Sequence, residues 1–170
     1  MPYYEVRLII LFGLLAWATV TDLKARVIPN KCTLTGMAAS LALAAAEALT
    51  RLLSRDLYSG EPLADWALGL LAGGLPLYLV MVISRGGMGG GDVKLMAMVG
   101  AFAGYKNALA VLFLSVILGG AAAAALILFK KRGVKSLITF GPFIALATLI
   151  VVLFHDFIAR FVAEFYFVDF

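Results

Sequence analysis

The sequence predicts an all-α membrane protein, with residues 1–170 forming one domain built as a bundle of six transmembrane helices. Hydrophobic residues make up 64% of the 170 residues, charged residues 14%, and the mean hydropathy is +1.03. Such a composition cannot cover a water-facing surface. Apolar runs of roughly 18–20 residues, the length that spans a bilayer, recur along the chain. Because lipid offers the backbone no hydrogen-bonding partner, we expect these spans to be helical.

The predicted spans are bounded by interfacial, proline-containing or charged segments. Tyr3 and Tyr4 are typical interfacial anchors for the first span. Pro29 is expected to end an extended segment and Asn30 to cap the second helix, while Pro62 suits the first turn of the third. The six spans are about residues 3–21, 31–49, 63–84, 93–103, 107–129 and 137–158.

The fourth span is short and follows a glycine-rich loop, residues 86–91. From Asp92 to Lys106 the helix would extend about 21 Å, at ~1.5 Å per residue, against a hydrocarbon core of about 30 Å. With Lys106 at the outer interface, Asp92 would therefore lie below the inner one. Irregular backbone at that depth is tolerated only inside protein or beside a wet cavity. We therefore expect Asp92 to face a hydrated pocket.

The distribution of basic residues predicts the orientation in the membrane. Nine basic residues fall on one side: Lys24, Arg26, Lys31, Arg85, Lys94, Lys130, Lys131, Arg132 and Lys135. Five fall on the other: Arg7, Arg51, Arg55, Lys106 and Arg160. The first side should be cytoplasmic, which places both termini outside the inner (cytoplasmic) membrane. The net charge of +4 is too small and scattered to indicate nucleic-acid binding.

Asp22 and Asp92 are the two acidic residues on the side that carries the nine bases. A carboxylate at membrane depth is costly and is by default a functional-site hypothesis. Two carboxylates within hydrogen-bonding distance share a proton, so the pair supplies a base for water and an acid for the substrate. The glycines beside Asp92 let the backbone approach an extended peptide and adopt φ > 0. This pattern indicates an aspartyl hydrolase whose active site faces the cytoplasm.

Two other function classes use or tolerate such residues. A proton or cation transporter or channel component also employs intramembrane carboxylates. Transporters often show inverted repeats with paired broken helices, and no second glycine-interrupted segment matches residues 86–91. A catalytically silent assembly scaffold would tolerate the loss of either aspartate.

Three sequence elements resemble motifs of the type IV prepilin peptidases, a family of GxGD-type intramembrane aspartyl proteases. They are Asp22 followed by Ile28-Pro29-Asn30, then Gly89-Gly90-Gly91-Asp92-Val93-Lys94-Leu95, then Phe140-Gly141-Pro142-Phe143. The resemblance implies that Asp22 and Asp92 are the catalytic pair. It also implies a prepilin or pseudopilin substrate, whose basic leader is cut at the cytoplasmic membrane face before its hydrophobic helix. Residues expected to support the site or bind substrate are Pro29, Asn30, Gly89, Gly90, Gly91, Lys94, Gly141 and Pro142.

The chain departs from many family members at its N-terminus. Those members carry a cytoplasmic segment with paired CxxC motifs and also methylate the new pilin N-terminus. Here the first span begins almost at Met1, and Cys32 is the single cysteine. We therefore expect no metal and no cofactor, and methyltransferase activity is not predicted. The length resembles the short peptidases of tight-adherence (Flp-type) pilus systems.

Overall fold

The computed structural model describes residues 2–54, 61–85, 87–128 and 139–154, and every regular element in these ranges is helical. The helices are α1 (Pro2–Ala25), α2 (Asn30–Leu53), α3 (Pro62–Ile83), α4 (Gly90–Leu128) and α5 (Gly141–Leu153). Four of them contain segments long and apolar enough to cross a membrane: Tyr3–Ala25, Asn30–Leu53, Pro62–Ile83 and Gly90–Leu126. Helix α5 has 13 residues and is too short to be counted with them. The prediction of an all-helical protein with membrane-spanning helices is confirmed.

Six separate spans are not supported. The predicted fourth and fifth spans both lie within the 39 residues of α4, which has a kink at Gly104, so the structure does not support the short fourth helix as predicted. The non-helical conformation inside α4 is confined to Gly104, with φ 78° and ψ 167°, which is why the helix continues on both sides of it. The predicted sixth span lies only partly within the described residues. The four predicted loop bases, Lys130, Lys131, Arg132 and Lys135, lie outside them, as does Gly86.

The chain reverses direction within α4 at Gly104. A Cβ built on Gly100 would lie 3.3 Å from the Cβ of Ala108, although eight residues of continuous helix would extend about 12 Å. Further along, a Cβ on Gly119 would lie 2.8 Å from the ring of Phe140, immediately before α5. The second half of α4 therefore packs back along the first half and returns toward the start of α5.

Asp65, in the first turn of α3, stabilises this reversal. Its Oδ1 accepts a hydrogen bond from the backbone amide of Tyr105, at 3.3 Å. Glycine is required at position 104 for two reasons. Its positive φ is strained for other residues, and a Cβ there would lie 2.6 Å from Oδ2 of Asp65.

The first half of α4 is the centre of the bundle. Its residues 95–102 are all buried, and Leu95, Met96, Met98 and Val99 are completely so. The sequence explains this, because no charged residue occurs between Lys94 and Lys106 and the segment is apolar on every face. Helices α1, α2, α3 and α5 all contact α4, so this segment fixes where the ends of its neighbours meet.

Helices α3 and α4 approach each other closely through glycines. A Cβ on Gly69 would overlap the carbonyl oxygen of Gly100, and a Cβ on Gly73 would overlap that of Met96. Small residues permit such backbone contact between membrane helices. Since position 69 faces 100 and position 73 faces 96, α3 and the first half of α4 run antiparallel.

Candidate active site

Asp22 lies in the last turn of α1 and is only 5% exposed. Its carbonyl oxygen accepts the backbone amide of Arg26 at 2.9 Å, the last such bond of the helix. Arg26 then adopts a left-handed conformation with φ 53°, which turns the chain out of α1. The Asp22 side chain points the other way, into the bundle, where its Oδ2 accepts a hydrogen bond from the backbone amide of Gly141 at 3.1 Å.

Gly141 places the N-terminus of α5 directly beneath the Asp22 carboxylate. A Cβ on Gly141 would lie 2.6 Å from Oδ2 of Asp22, so a larger residue would displace the carboxylate or the helix. Pro142 occupies the first turn of α5, where its missing amide hydrogen costs nothing. Amide groups at a helix N-terminus favour a negative charge, so α5 both orients and stabilises the Asp22 carboxylate.

Asp92 lies in the first turn of α4, and its backbone amide donates to the carbonyl oxygen of Gly89 at 3.1 Å. A Cβ on Gly89 would lie 3.2 Å from Oδ2 of Asp92, which shows that the carboxylate points back toward the preceding loop. Among the described glycines, positive φ occurs at Gly104 and not at Gly89, Gly90 or Gly91. The freedom to adopt φ > 0 that the sequence gives these three glycines is therefore not used here. Neighbouring atoms instead crowd Gly89 and Gly91.

The two carboxylates share one cavity of about 190 Å³. Its lining residues are Asp22, Arg26, Val27, Ile28, Asn30, Gly89, Gly91 and Asp92. The structure thus brings together two residues that are 70 positions apart in the sequence, as expected from their motifs. Their catalytic role stays a prediction.

Ile28 connects the three segments that form the cavity. A Cβ on Gly91 would lie 3.1 Å from the Cβ of Ile28, and a Cβ on Gly141 would lie 3.4 Å from its Cδ1. Ile28 is 8% exposed, so it is a packed residue rather than a free loop residue. The loop after α1 therefore holds the start of α4 and the start of α5 at fixed positions beside Asp22.

Asn30 does not cap α2 through its side chain. The residue before the helix is Pro29, which has extended backbone, and the helix has no side-chain cap hydrogen bond. Asn30 is instead the first residue of α2, and its Oδ1 accepts a hydrogen bond from Nζ of Lys94 at 2.9 Å. This bond joins the N-termini of α2 and α4 beside the cavity. The expected cap is therefore wrong, because the side chain bonds across the bundle.

The remaining supporting residues predicted from sequence are not part of the cavity wall. Gly90 faces α3, since a Cβ there would lie 3.8 Å from the sulfur of Met81. Pro29, Lys94, Gly141 and Pro142 also lie outside the lining, although Lys94 bonds to Asn30 and Gly141 bonds to Asp22. Conversely, the lining residues Arg26, Val27 and Ile28 were not predicted as site residues. The available signal was their position in the short segment between Asp22 and Pro29.

Comparison with known proteins identifies the family. The model of the type IV leader peptidase family matches residues 9–124, a segment that contains both cavity aspartates. The chain belongs to the type IV leader peptidase family. The resemblance to prepilin peptidases inferred from the three motifs is therefore confirmed.

Curated relatives of this leader peptidase family member are prepilin leader peptidase/N-methyltransferases. The chain is 35% identical to that of Bacillus subtilis (strain 168) over 156 residues, which cover 90% of this chain and 57% of the relative. It is 36% identical to that of Aeromonas salmonicida (strain A449) over 104 residues, or 58% of this chain and 36% of the relative. The matched segment thus spans 57% of the first relative's length and 36% of the second's. No solved structure matches it.

The part of the leader peptidase that the structure describes contains no group of three or more His, Cys, Asp or Glu side chains able to hold a metal ion. Cys32 is buried in α2 and its thiol donates to the carbonyl oxygen of Leu14 at 3.4 Å.

Proposed function

We propose that this protein is an aspartic endopeptidase that removes the leader peptide from type IV prepilins or pseudopilins, in particular those of Flp type. Asp22 and Asp92 are its catalytic pair. The observation that carries the proposal is the single cavity lined by both carboxylates, in a chain whose relatives are prepilin leader peptidases. The family membership supports a prepilin as the substrate, and the two carboxylates in the cavity support acid–base catalysis of peptide hydrolysis.

The reaction needs one water molecule and one proton shared between the two carboxyl groups. The ionised carboxylate takes a proton from the water while its oxygen attacks the scissile carbonyl carbon, and the protonated carboxyl gives its proton to the carbonyl oxygen. The carbon–nitrogen bond of the tetrahedral intermediate then breaks. The leaving nitrogen takes the proton that the first carboxylate removed from water. A hydroxyl group of the intermediate returns its proton to the second carboxylate as the new carboxylic acid forms, which restores the shared proton.

Two hydrogen bonds hold the catalytic groups in place. The amide of Gly141 binds one oxygen of Asp22 and leaves the other for proton transfer. The bond from Lys94 to Asn30 fixes the start of α4, and with it Asp92, against the start of α2. Such positioning matters because reacting groups must be held within a fraction of an ångström.

The cavity edge is suited to an extended peptide. Gly89 and Gly91 line it without side chains, so a substrate backbone can approach the carboxylates closely. The apolar exteriors of the helices would accommodate the hydrophobic helix of a pilin in the surrounding bilayer. The leader peptide would enter the cavity, and the hydrophobic helix of the pilin would lie in the lipid beside the bundle. This arrangement fits a substrate that is anchored in the same membrane.

The proposed site faces the cytoplasm at the inner membrane. The end of the bundle that carries Asp22 and Asp92 also carries exposed Lys24, Lys31 and Lys94, as the positive-inside rule requires of a cytoplasmic face. We further propose that the two halves of α4 cross the membrane separately. Together with α1, α2, α3 and α5, this would make six crossings and place both termini outside.

The test is a cleavage assay with the purified full chain in detergent or lipid nanodiscs. The substrates are an Flp-type prepilin and a longer type IV prepilin, each with its leader, and mass spectrometry identifies the new termini. We expect cleavage of the Flp-type prepilin at one bond before its hydrophobic helix. Intact substrates would overturn the proposal, and proton flux through proteoliposomes without cleavage would support a transporter instead.

A further inference from the structure

A second and larger cavity, of about 560 Å³, lies at the end of the bundle opposite the two aspartates. It is formed by the start of α1, the end of α2, the start of α3 and the reversal within α4. Arg7, which lines it, is 15 residues before Asp22 on α1, or about 22 Å away along the helix. In a bundle that spans a bilayer, this end lies at the level of the lipid headgroups.

Two arginines in this cavity share one carboxylate. Nη2 of Arg7 lies 2.8 Å from Oε2 of Glu47, and Arg51 binds the other carboxylate oxygen of Glu47. The side chains of Arg7 and Glu47 are only 19% and 16% exposed. Arg7 therefore presents its guanidinium group to the cavity from a partly desolvated position.

Lys106 adds a further positive charge at the cavity wall. Its side chain is exposed, and Nζ lies 5.8 Å from the ring centroid of Tyr105. Within residues 2–54, 61–85, 87–128 and 139–154, no carboxylate lies within ion-pair distance of Lys106. Lys106 is therefore available to an anionic ligand.

The α3 side of the cavity carries the opposite charge. Glu61 immediately precedes α3 and is exposed, and Asp65 lies in its first turn, with one oxygen bonded to the amide of Tyr105. One turn further along α3, exposed Leu68 forms an apolar border of the same cavity. The cavity thus presents separated positive and negative walls and one apolar edge.

We propose that this cavity binds the headgroup of a zwitterionic phospholipid, with phosphatidylethanolamine as the occupant. Arg7 and Lys106 hold the phosphate, Glu61 and Asp65 accept the ammonium group, and Leu68 directs the acyl chains into the bilayer. The lining contains three basic and three acidic side chains, so it favours a ligand with both charges over a purely anionic one. This site is separate from the proposed peptidase site.

Native mass spectrometry of the delipidated full chain tests the proposal with three lipids of matched acyl chains: phosphatidylethanolamine, phosphatidylglycerol and phosphatidylcholine. We expect phosphatidylethanolamine to be retained most strongly, because its ammonium donates hydrogen bonds that a trimethylammonium cannot. Equal retention of all three, or preference for phosphatidylglycerol, would overturn the proposal. Displacement of the lipid by millimolar inorganic phosphate alone would show a simple phosphate site, and would also overturn it.

Charge-removing variants locate the binding site. We expect Lys106→Gln to weaken phosphatidylethanolamine retention roughly two- to fivefold, the effect of losing an exposed ion pair. Arg7→Gln should weaken it further, and circular dichroism checks that the variant remains folded. Lys31→Gln, at the opposite end of the bundle, is the matched control and should leave retention unchanged. If Lys106→Gln and Lys31→Gln behave alike, the lipid binds elsewhere.

Discussion

The backbone amide of Gly141 donates a hydrogen bond to Oδ2 of Asp22 across 119 residues of sequence, at 3.1 Å. This bond holds the Asp22 carboxylate, at the end of α1, against the N-terminus of α5. A backbone donor cannot rotate away as a side chain can, so one oxygen of Asp22 has a fixed position. The orientation of the proposed catalytic pair therefore depends on a helix that carries neither aspartate.

Replacing either aspartate should remove activity without unfolding the protein. Asp22→Asn and Asp92→Asn keep the side-chain size but cannot share a proton, so we expect prepilin cleavage to fall about 10²–10⁴-fold or below detection. Mass spectrometry of cleavage products measures this. Glu5→Gln, which removes an exposed carboxylate from the same helix as Asp22, is the control and should retain full activity. Undiminished cleavage by either asparagine variant would reject the pair.

Gly141→Ala should impair catalysis more than stability. The added Cβ would lie 2.6 Å from Oδ2 of Asp22, so the carboxylate must shift. A displacement near 1 Å can cost ~10²-fold in rate, and we expect a loss of that order in initial cleavage rate. The control is Gly13→Ala in α1, where a Cβ would meet nothing within 4 Å. Equal rates for the two variants would show that the Gly141 contact does not position Asp22.

Three consecutive glycines before Asp92 should respond differently to alanine. At Gly89 the Cβ would lie 3.2 Å from Oδ2 of Asp92, and at Gly91 it would lie 3.1 Å from Ile28. Gly90 has only an ordinary contact with Met81, at 3.8 Å. We therefore expect Gly89→Ala and Gly91→Ala to slow cleavage, and Gly90→Ala to keep most of the wild-type rate. A Gly90→Ala variant slower than the other two would contradict the packing described above.

Gly69→Ala and Gly100→Ala should destabilise the bundle itself. Each Cβ would overlap a carbonyl oxygen of the facing helix, so α3 and α4 must separate, at a cost of about 1–3 kcal/mol in unfolding free energy. Thermal unfolding in detergent measures the effect.

Gly120→Ala is the matched control for this pair, because it lies in α4 with open space around it. We expect its stability to be unchanged or to rise by about 0.5–1 kcal/mol, since alanine is the better helix residue. A loss at Gly120 as large as at Gly100 would indicate a general effect of glycine replacement, and would refute the role of backbone contact.

Sequence reasoning placed Asp22 and Asp92 together because both follow or precede apolar runs on the same, base-rich side. Hydropathy and charge are local properties of the sequence, and they suffice to predict that the two aspartates lie at the same end of the bundle. The sequence did not reveal the partner of Asp22, since a backbone amide has no residue-specific signature. The contact between Asn30 and Lys94 joins residues 64 positions apart, so the local sequence predicts only that Asn30 caps its own helix.

The reversal of the chain within α4 could not be predicted from the sequence. Counting apolar runs divides the chain wherever charges or glycines occur, but it does not show that the chain reverses direction at Gly104. The break is produced by a positive φ and by Asp65, which lies 39 residues earlier. Such a long-range contact leaves no periodic trace in the sequence.

The touching backbones of α3 and α4 have a consequence for where the substrate would be cut. With Gly69 against Gly100 and Gly73 against Met96, neither helix can slide along the other. Asp92 therefore cannot change its depth in the bilayer unless α3 moves with it. For the proposed peptidase, the length of α3, 22 residues or about 33 Å, would then set the depth at which the scissile peptide bond reaches Asp92.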